Sequence, residues 1–327
     1  MTNNCWLPLL GACAMAVPLI AADTPSPALL ILNKEGALAI VDPATRQTVA
    51  KVRTGDGPHE VEASTDGKLA FVSNYGANTP GSTISVIDLV AQKELHRVDL
   101  GVLRRPHGLA YAGGKLYFTC ETNKIVGRYD PATNQVDWLL GTGQNGTHMV
   151  QLNKEMNQIY IANIASNSIG IFDRTGAIDW NLTLVPVGKG PEGFDVTPDG
   201  KELWAAHSRD GGVSIINIFT KAVTHTFSVQ TKRSNRLKFT PDGRLVLISD
   251  LDAGELVVLE RETRKQLKRL PVGKQLAGIL VQPDGSKAYV AATGDNNVGV
   301  VDLKSLELVN RIQPGVGPDG MAWAVRQ

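Results

Sequence analysis

The sequence predicts an all-β protein, a seven-bladed β-propeller of four-stranded antiparallel blades. Three observations carry this prediction. An apolar strand ending in an acid or its amide recurs seven times. An Asp-Gly hairpin turn recurs between alternating apolar runs, and the two chain ends each supply part of one repeat.

The recurring strand runs from Ala37 to Asp42, Thr83 to Asp88, Lys124 to Asp130 and Ser168 to Asp173, then Val213 to Asn217, Glu255 to Glu260 and Val298 to Asp302. The copies stand about 42 to 46 residues apart, the spacing of propeller blades, and polar turns such as Pro43 to Arg46 lead into a further short strand. The second unit is a segment beginning at Pro58 or Pro191 that reaches Asp66-Gly67 or Asp199-Gly200 and reverses into an apolar strand. The same turn recurs at Asp242-Gly243 and Asp284-Gly285. It is degenerate at Ala112 to Gly114 and at Asn153 to Asn157.

The chain ends settle the count. Gly317 to Ala324 provides only an inner strand, and Ala28 to Asn33 begins at a second strand. One blade is therefore completed by both termini, and the closed ring removes the sheet edges that an open array would expose. Seven blades in one domain, residues 23–327, override the two-domain expectation that 327 residues would raise.

Composition agrees. The 33 Gly and 17 Pro exceed what long helices tolerate, and 43% hydrophobic residues fill a core without matching a multispanning membrane protein. A net charge of +1, from 33 Lys+Arg against 32 Asp+Glu, supplies no field for tracking phosphates, so no nucleic-acid partner is expected.

Residues 1–22 carry no charged side chain. The run from Trp6 to Ile20 is apolar, broken by Pro8, Gly11 and Pro18, and it ends in Ala21-Ala22. This reads as a secretory signal peptide cut after Ala22, giving a periplasmic or secreted protein with no transmembrane span in its mature chain. A lipid anchor at Cys13 is the lesser reading, because the apolar stretch before it is short and continues past it. Removal of the leader takes Cys5 and Cys13 with it, leaving Cys120 without a disulfide partner.

The pattern Gly-x-x-Pro-x-x-apolar, then Pro-Asp-Gly-Lys, then Tyr-Val-x-Asn resembles the YVTN-repeat, YncE-like β-propellers. Phe71 to Asn74, Tyr160 to Asn163 and Tyr289 to Thr293 carry the last element. The resemblance covers essentially the whole mature chain and implies the propeller fold. It leaves function open among ligand and partner binders, lactonase-like hydrolases and lyases, because the repeated residues are structural.

Topology narrows the search for chemistry. The start of each inner strand and the end of each second strand should share one mouth of the central channel. The inner-strand position reads His59, His107, His148, Glu192, Asn235, Ala277 and Asp319. The strand-end position reads Asn33, Asn74, Cys120, Asn163, His207, Asp250 and Thr293. Loops beside them add Tyr75, Arg104, Arg105, Glu121, Arg209, Arg233, Arg236 and Asp252. Four of the six histidines thus map to the mouth, while His96 and His225 fall on outer strands.

The expected ligand site comprises His59, His107, His148, Glu192, His207, Asn235 and Asp319, with Arg105 and Arg236 to meet an anion. Three imidazoles and a carboxylate also suit a divalent transition metal, with His59, His107, His148 and Glu192 as its ligands. No other cofactor is indicated. His107 is the candidate general base if the protein is a hydrolase or lyase. The leading expectation is a monomeric binding propeller that takes a small anionic molecule or a protein partner. A metal-assisted, lactonase-like enzyme is the alternative, and a pure interaction scaffold the third. Cys120 is expected to pack, as are Trp138, Trp180, Trp204 and Trp323 between blades. No nucleophile elbow, phosphate loop, dinucleotide fingerprint or heme-attachment motif appears in the mature chain.

Overall fold

Seven four-stranded antiparallel sheets follow one another around a central channel in a computed structural model that describes residues 22–177 and 179–326. The only helical element among the described residues is a single 3-10 turn at Thr293–Asp295. The expected leader, Ala22 apart, lies outside the described residues, as do Cys5 and Cys13.

The first blade shows the order that the next five repeat. Pro58–Ala63 lines the channel, Leu69–Asn74 and Thr83–Asp88 follow outward, and Lys93–Asp99 is outermost. The seventh blade is composite. Its inner strand, Pro318–Ala324, pairs antiparallel with Ala28–Asn33, beyond which lie Ala37–Val41 and Thr48–Arg53. Two middle strands per blade are buried on both faces, which is why they read as continuous apolar runs, whereas the outermost strands alternate exposed and half-buried residues.

The core is divided as the ring demands. Each apolar cluster lies between two successive blades. One packs Leu30, Leu32 and Ile40 of the composite blade on Val61, Val72 and Ile87 of the first, and another packs Phe71 and Val86 on Leu116, Phe118 and Cys120. Trp204 is fully buried against Phe227 and Phe239. Trp138 and Trp180 meet at 5.9 Å on neighbouring outer strands. Trp323 donates its indole N–H to the Val281 carbonyl at 3.0 Å, tying the C-terminal strand to the preceding blade.

One irregularity recurs at the mouth. The pairing of inner with second strand slips between Pro58 and Val61, Pro106 and Leu109, Thr147 and Val150, and at equivalent places around the ring. Each inner strand carries one extra residue there, a β-bulge that re-aims the side chains where the strand enters the channel. The register also moves one expected position. Leu276 pairs with Ala292, so Ala292, not Thr293, ends the second strand of the sixth blade.

Candidate functional site

The residue after each bulge-opening position is the one whose side chain reaches the mouth. Two devices fix those residues. Gly108 lies so close to the third blade that a Cβ on it would stand 2.4 Å from the His148 carbonyl oxygen, and one on Gly320 would stand 2.4 Å from that of His59. Glycine is therefore required at these two positions, where one inner strand closes up on the next and brings successive mouth residues together. The second device is a buried hydroxyl. The Thr119 Oγ1 accepts from the Gly108 N–H at 2.9 Å and donates to the His148 carbonyl at 2.5 Å. Ser249 does the same between the Arg236 N–H and the Ala277 carbonyl.

The result is a row of imidazoles. His59 and His107 have ring centroids 4.9 Å apart, and His107 and His148 are at 3.7 Å with planes tilted by 31°. Tyr75 stands over both His59 and His107, at 4.7 and 5.4 Å. The Tyr75 hydroxyl donates to Glu121 Oε2 at 2.6 Å, and His148 Nδ1 donates to Glu121 Oε1 at 2.5 Å. His107 Nδ1 and His148 Nε2 are buried without any hydrogen-bond partner among the described residues. His107, Glu121 and His148 offer ligand atoms within 4.8 Å of one another.

Electrostatics follow from this burial. Burial pushes the His59 imidazole down to about 4 against the pull of Asp319, and it holds His107 well below the usual histidine range, helped by its imidazole neighbours. Burial would raise Glu121, but the hydrogen bonds from His148 and Tyr75 keep its carboxyl below the ordinary value. Tyr75 is pushed up to about 12, first by burial and then by its bond to Glu121.

A cavity of about 590 Å³ opens above this floor. Its charged groups divide into paired and free. Asp319 is met by Lys34 at 3.0 Å and by His59 Nδ1 at 3.4 Å, and Arg236 is bonded to Glu60 deeper in the channel. Arg209 and Arg233 also line the cavity, are exposed, and make no ion pair among the described residues.

The expected residues divide on these grounds. His59, His107, His148, Glu192, Asn235, Arg236 and Asp319 all line the cavity. Glu192 accepts from Asn235 Nδ2 at 2.5 Å and is not part of the close group around His107, where Glu121 takes the place assigned to it. His207 does not line the cavity. It is fully buried beneath the Gly188 loop with Nδ1 on Asp210 at 3.0 Å, because its side chain turns into the blade instead of the channel. Arg105 lies over the Tyr75 ring at 4.6 Å, outside the cavity wall. Cys120 is wholly buried in the core between the first two blades, and burial pushes its thiol up to about 12.

Lys34 and Glu60 escaped sequence reasoning. The alternation Glu60-Val61-Glu62 on an inner strand was a usable signal, since a strand that puts two carboxyls on one face of a channel wall must pair them or water them.

The profile of the YNCE-like beta-propeller family matches residues 5–326. The chain is a YncE-like β-propeller. This YncE-like chain is 21% identical to protein NirF of Pseudomonas aeruginosa over 351 residues, covering 98% of the chain and 86% of NirF. It is 23% identical to antigen Lp49 of Leptospira interrogans over 124 residues, 36% of the chain, and that match spans about a quarter of Lp49, 27%. Among solved structures, dihydro-heme d1 dehydrogenase NirN in complex with DHE superposes with a TM-score of 0.67 at 14% identity, covering 95% of the chain and 78% of NirN. At that identity the likeness is one of fold.

Proposed function

We propose that this YncE-like propeller is an exported binding protein that holds a small anionic molecule in the mouth of its channel. The observation that carries the reading is the cavity of about 590 Å³ whose rim presents Arg209 and Arg233, without carboxylate partners among the described residues, above a floor of three imidazoles. Unpaired guanidinium groups match planar carboxylates and phosphates, and the imidazoles supply orienting polar atoms in a site partly shielded from water. The other cations of the wall, Lys34 and Arg236, are engaged with Asp319 and Glu60 and serve to shape the site. Export is supported by the charge-free apolar stretch before Asp23. No helix of the described residues is long and apolar enough to cross a membrane.

The test is a titration of purified protein with di- and tricarboxylates, phosphate esters and, because NirN is a dihydro-heme d1 dehydrogenase, a heme. One class of anion should bind, and replacing both Arg209 and Arg233 by Ala should weaken it at least tenfold, since a charge-assisted hydrogen bond contributes roughly 1.5–3 kcal/mol. An absence of binding across the panel, or binding indifferent to the double substitution, overturns the reading.

A hydrolytic reading has one specific support. His107 makes no side-chain hydrogen bond among the described residues and faces the cavity, the position a general base requires. Turnover in a lactone and ester panel that is lost in His107→Ala would establish it over simple binding.

A further inference from the structure

We propose that His107 and His148 form a transition-metal site at the floor of the mouth, with Glu121 acting on His148 as its orienting carboxylate. The inference deepens the anion-binding reading and rests on it for the site's outward face, where the cavity leaves coordination positions open.

Two buried nitrogens pose the problem. His107 is 3% exposed and His148 7%, and neither His107 Nδ1 nor His148 Nε2 has a partner among the described residues. Buried polar atoms are nearly always paired, so two orphans on rings 3.7 Å apart call for an explanation. Packing alone does not supply one, because the fold spends the Gly108 close approach and the Thr119 hydroxyl on bringing these inner strands together.

The surroundings of His148 match what a ligating imidazole needs. Glu121 accepts from Nδ1 at 2.5 Å, which places the proton there and leaves the Nε2 lone pair free. Tyr75 in turn holds the other carboxylate oxygen at 2.6 Å. A carboxylate on the far nitrogen fixes ring and tautomer and raises donor strength, the usual arrangement behind a metal-bound histidine. One ligand atom from each of His107, Glu121 and His148 lies within 4.8 Å of the others, close enough for the group to gather round one ion.

Donor chemistry selects the ion. Two neutral nitrogens suit Zn²⁺ or Cu²⁺ and are poor ligands for Mg²⁺ or Ca²⁺, which take oxygen. The nearby cations do not forbid it, since Lys34 and Arg236 are each compensated by a carboxylate. An ion here would leave open positions toward the cavity, where the anion held by Arg209 and Arg233 would complete its coordination.

The test uses the chelator-stripped full chain, titrated calorimetrically with Zn²⁺ and separately with Cu²⁺, with Mg²⁺ as the contrasting probe. One Zn²⁺ or Cu²⁺ per chain and no Mg²⁺ is expected. His107→Ala and His148→Ala should each lower affinity at least 100-fold, and Glu121→Gln about 10- to 100-fold. His225→Ala, on an outer strand, should leave it unchanged. The Cu²⁺ electron paramagnetic resonance spectrum should show nitrogen superhyperfine splitting that loses one contributor in His107→Ala. That variant removes no hydrogen bond and carries the test if His148→Ala fails to fold. No bound ion, or an ion whose affinity ignores His107→Ala, overturns the proposal. The anion titration repeated on stripped protein separates the two readings. Anion binding that persists and still depends on Arg209 and Arg233 leaves the first standing when the metal fails, whereas metal binding without any anion defeats the first alone.

Discussion

Thr119→Val tests the claim that a buried hydroxyl sets the position of His148. Thr119 is fully buried, and its Oγ1 joins the Gly108 N–H at 2.9 Å to the His148 carbonyl at 2.5 Å across two blades. Valine keeps the shape and removes both bonds, leaving a donor and an acceptor without their partner. Each orphaned group costs about 1–3 kcal/mol, and the added methyl recovers at most about 1 kcal/mol, so the net loss should be about 1–5 kcal/mol. Thr119→Ser makes the opposite cut. It keeps the hydroxyl and deletes a methyl, for about 1 kcal/mol including the small void. Urea unfolding of the three proteins reads the difference as a shift in midpoint at constant slope. Valine should be the more damaging substitution. If serine is worse, or if valine costs under about 0.5 kcal/mol, the hydroxyl is incidental and the inter-blade positioning argument fails.

Two further outcomes are expected. Deleting Gly317 to Gln327 removes the inner strand of the composite blade, together with Ala322, Ala324 and the Trp323–Val281 bond, and should give insoluble or protease-sensitive protein; an unchanged melting temperature would disprove closure by the C-terminal strand. Glu62, on the channel wall with Lys238 lowering and Glu60 raising its carboxyl, is pushed up by burial from 4.5 to about 7. Its native form therefore holds a proton that the unfolded chain releases, so its stabilising contribution is complete below about 4.5 and is lost as pH rises through about 7. At 1.36 kcal/mol per unit the loss is at most about 3 kcal/mol, reduced by channel water reaching the half-buried group. Glu62→Gln should gain on the wild type in urea midpoint between pH 5 and pH 8, and parallel curves would refute the assignment.

The fold was legible because each blade repeats its own instructions. Asp-Gly turns, double-buried strands such as Leu69–Asn74 and the split repeat at the termini are local features that seven copies average over, and the observed strand order matches them down to the composite blade. The mouth positions followed from the same register, which is how His59, His107 and His148 were read as neighbours on successive blades. Counted from Tyr289, the Tyr-Val-x-Asn pattern puts its last position on Ala292, where the strand ends, and Thr293 belongs to the Thr293–Asp295 turn that follows.

Orientation was not legible, and the reason is physical. A strand end has two faces, and the register alone does not say whether its last side chain enters the channel or the blade. His207 enters the blade because Gly188 leaves room for the ring and Asp210 takes its Nδ1. Glu121 follows Cys120, the last residue of its own strand, at the repeat position that Tyr75 holds in the first blade, and it reaches His148 of the next blade across the interface. Glu192 carries the repeat position and is claimed by Asn235 instead. Sequence periodicity therefore finds residues that one blade contributes to the ring. Contacts between unlike positions of adjacent blades, such as Glu121 to His148, break the sevenfold pattern, and it is that break which makes the sector of the first three blades chemically distinct from the rest of the mouth.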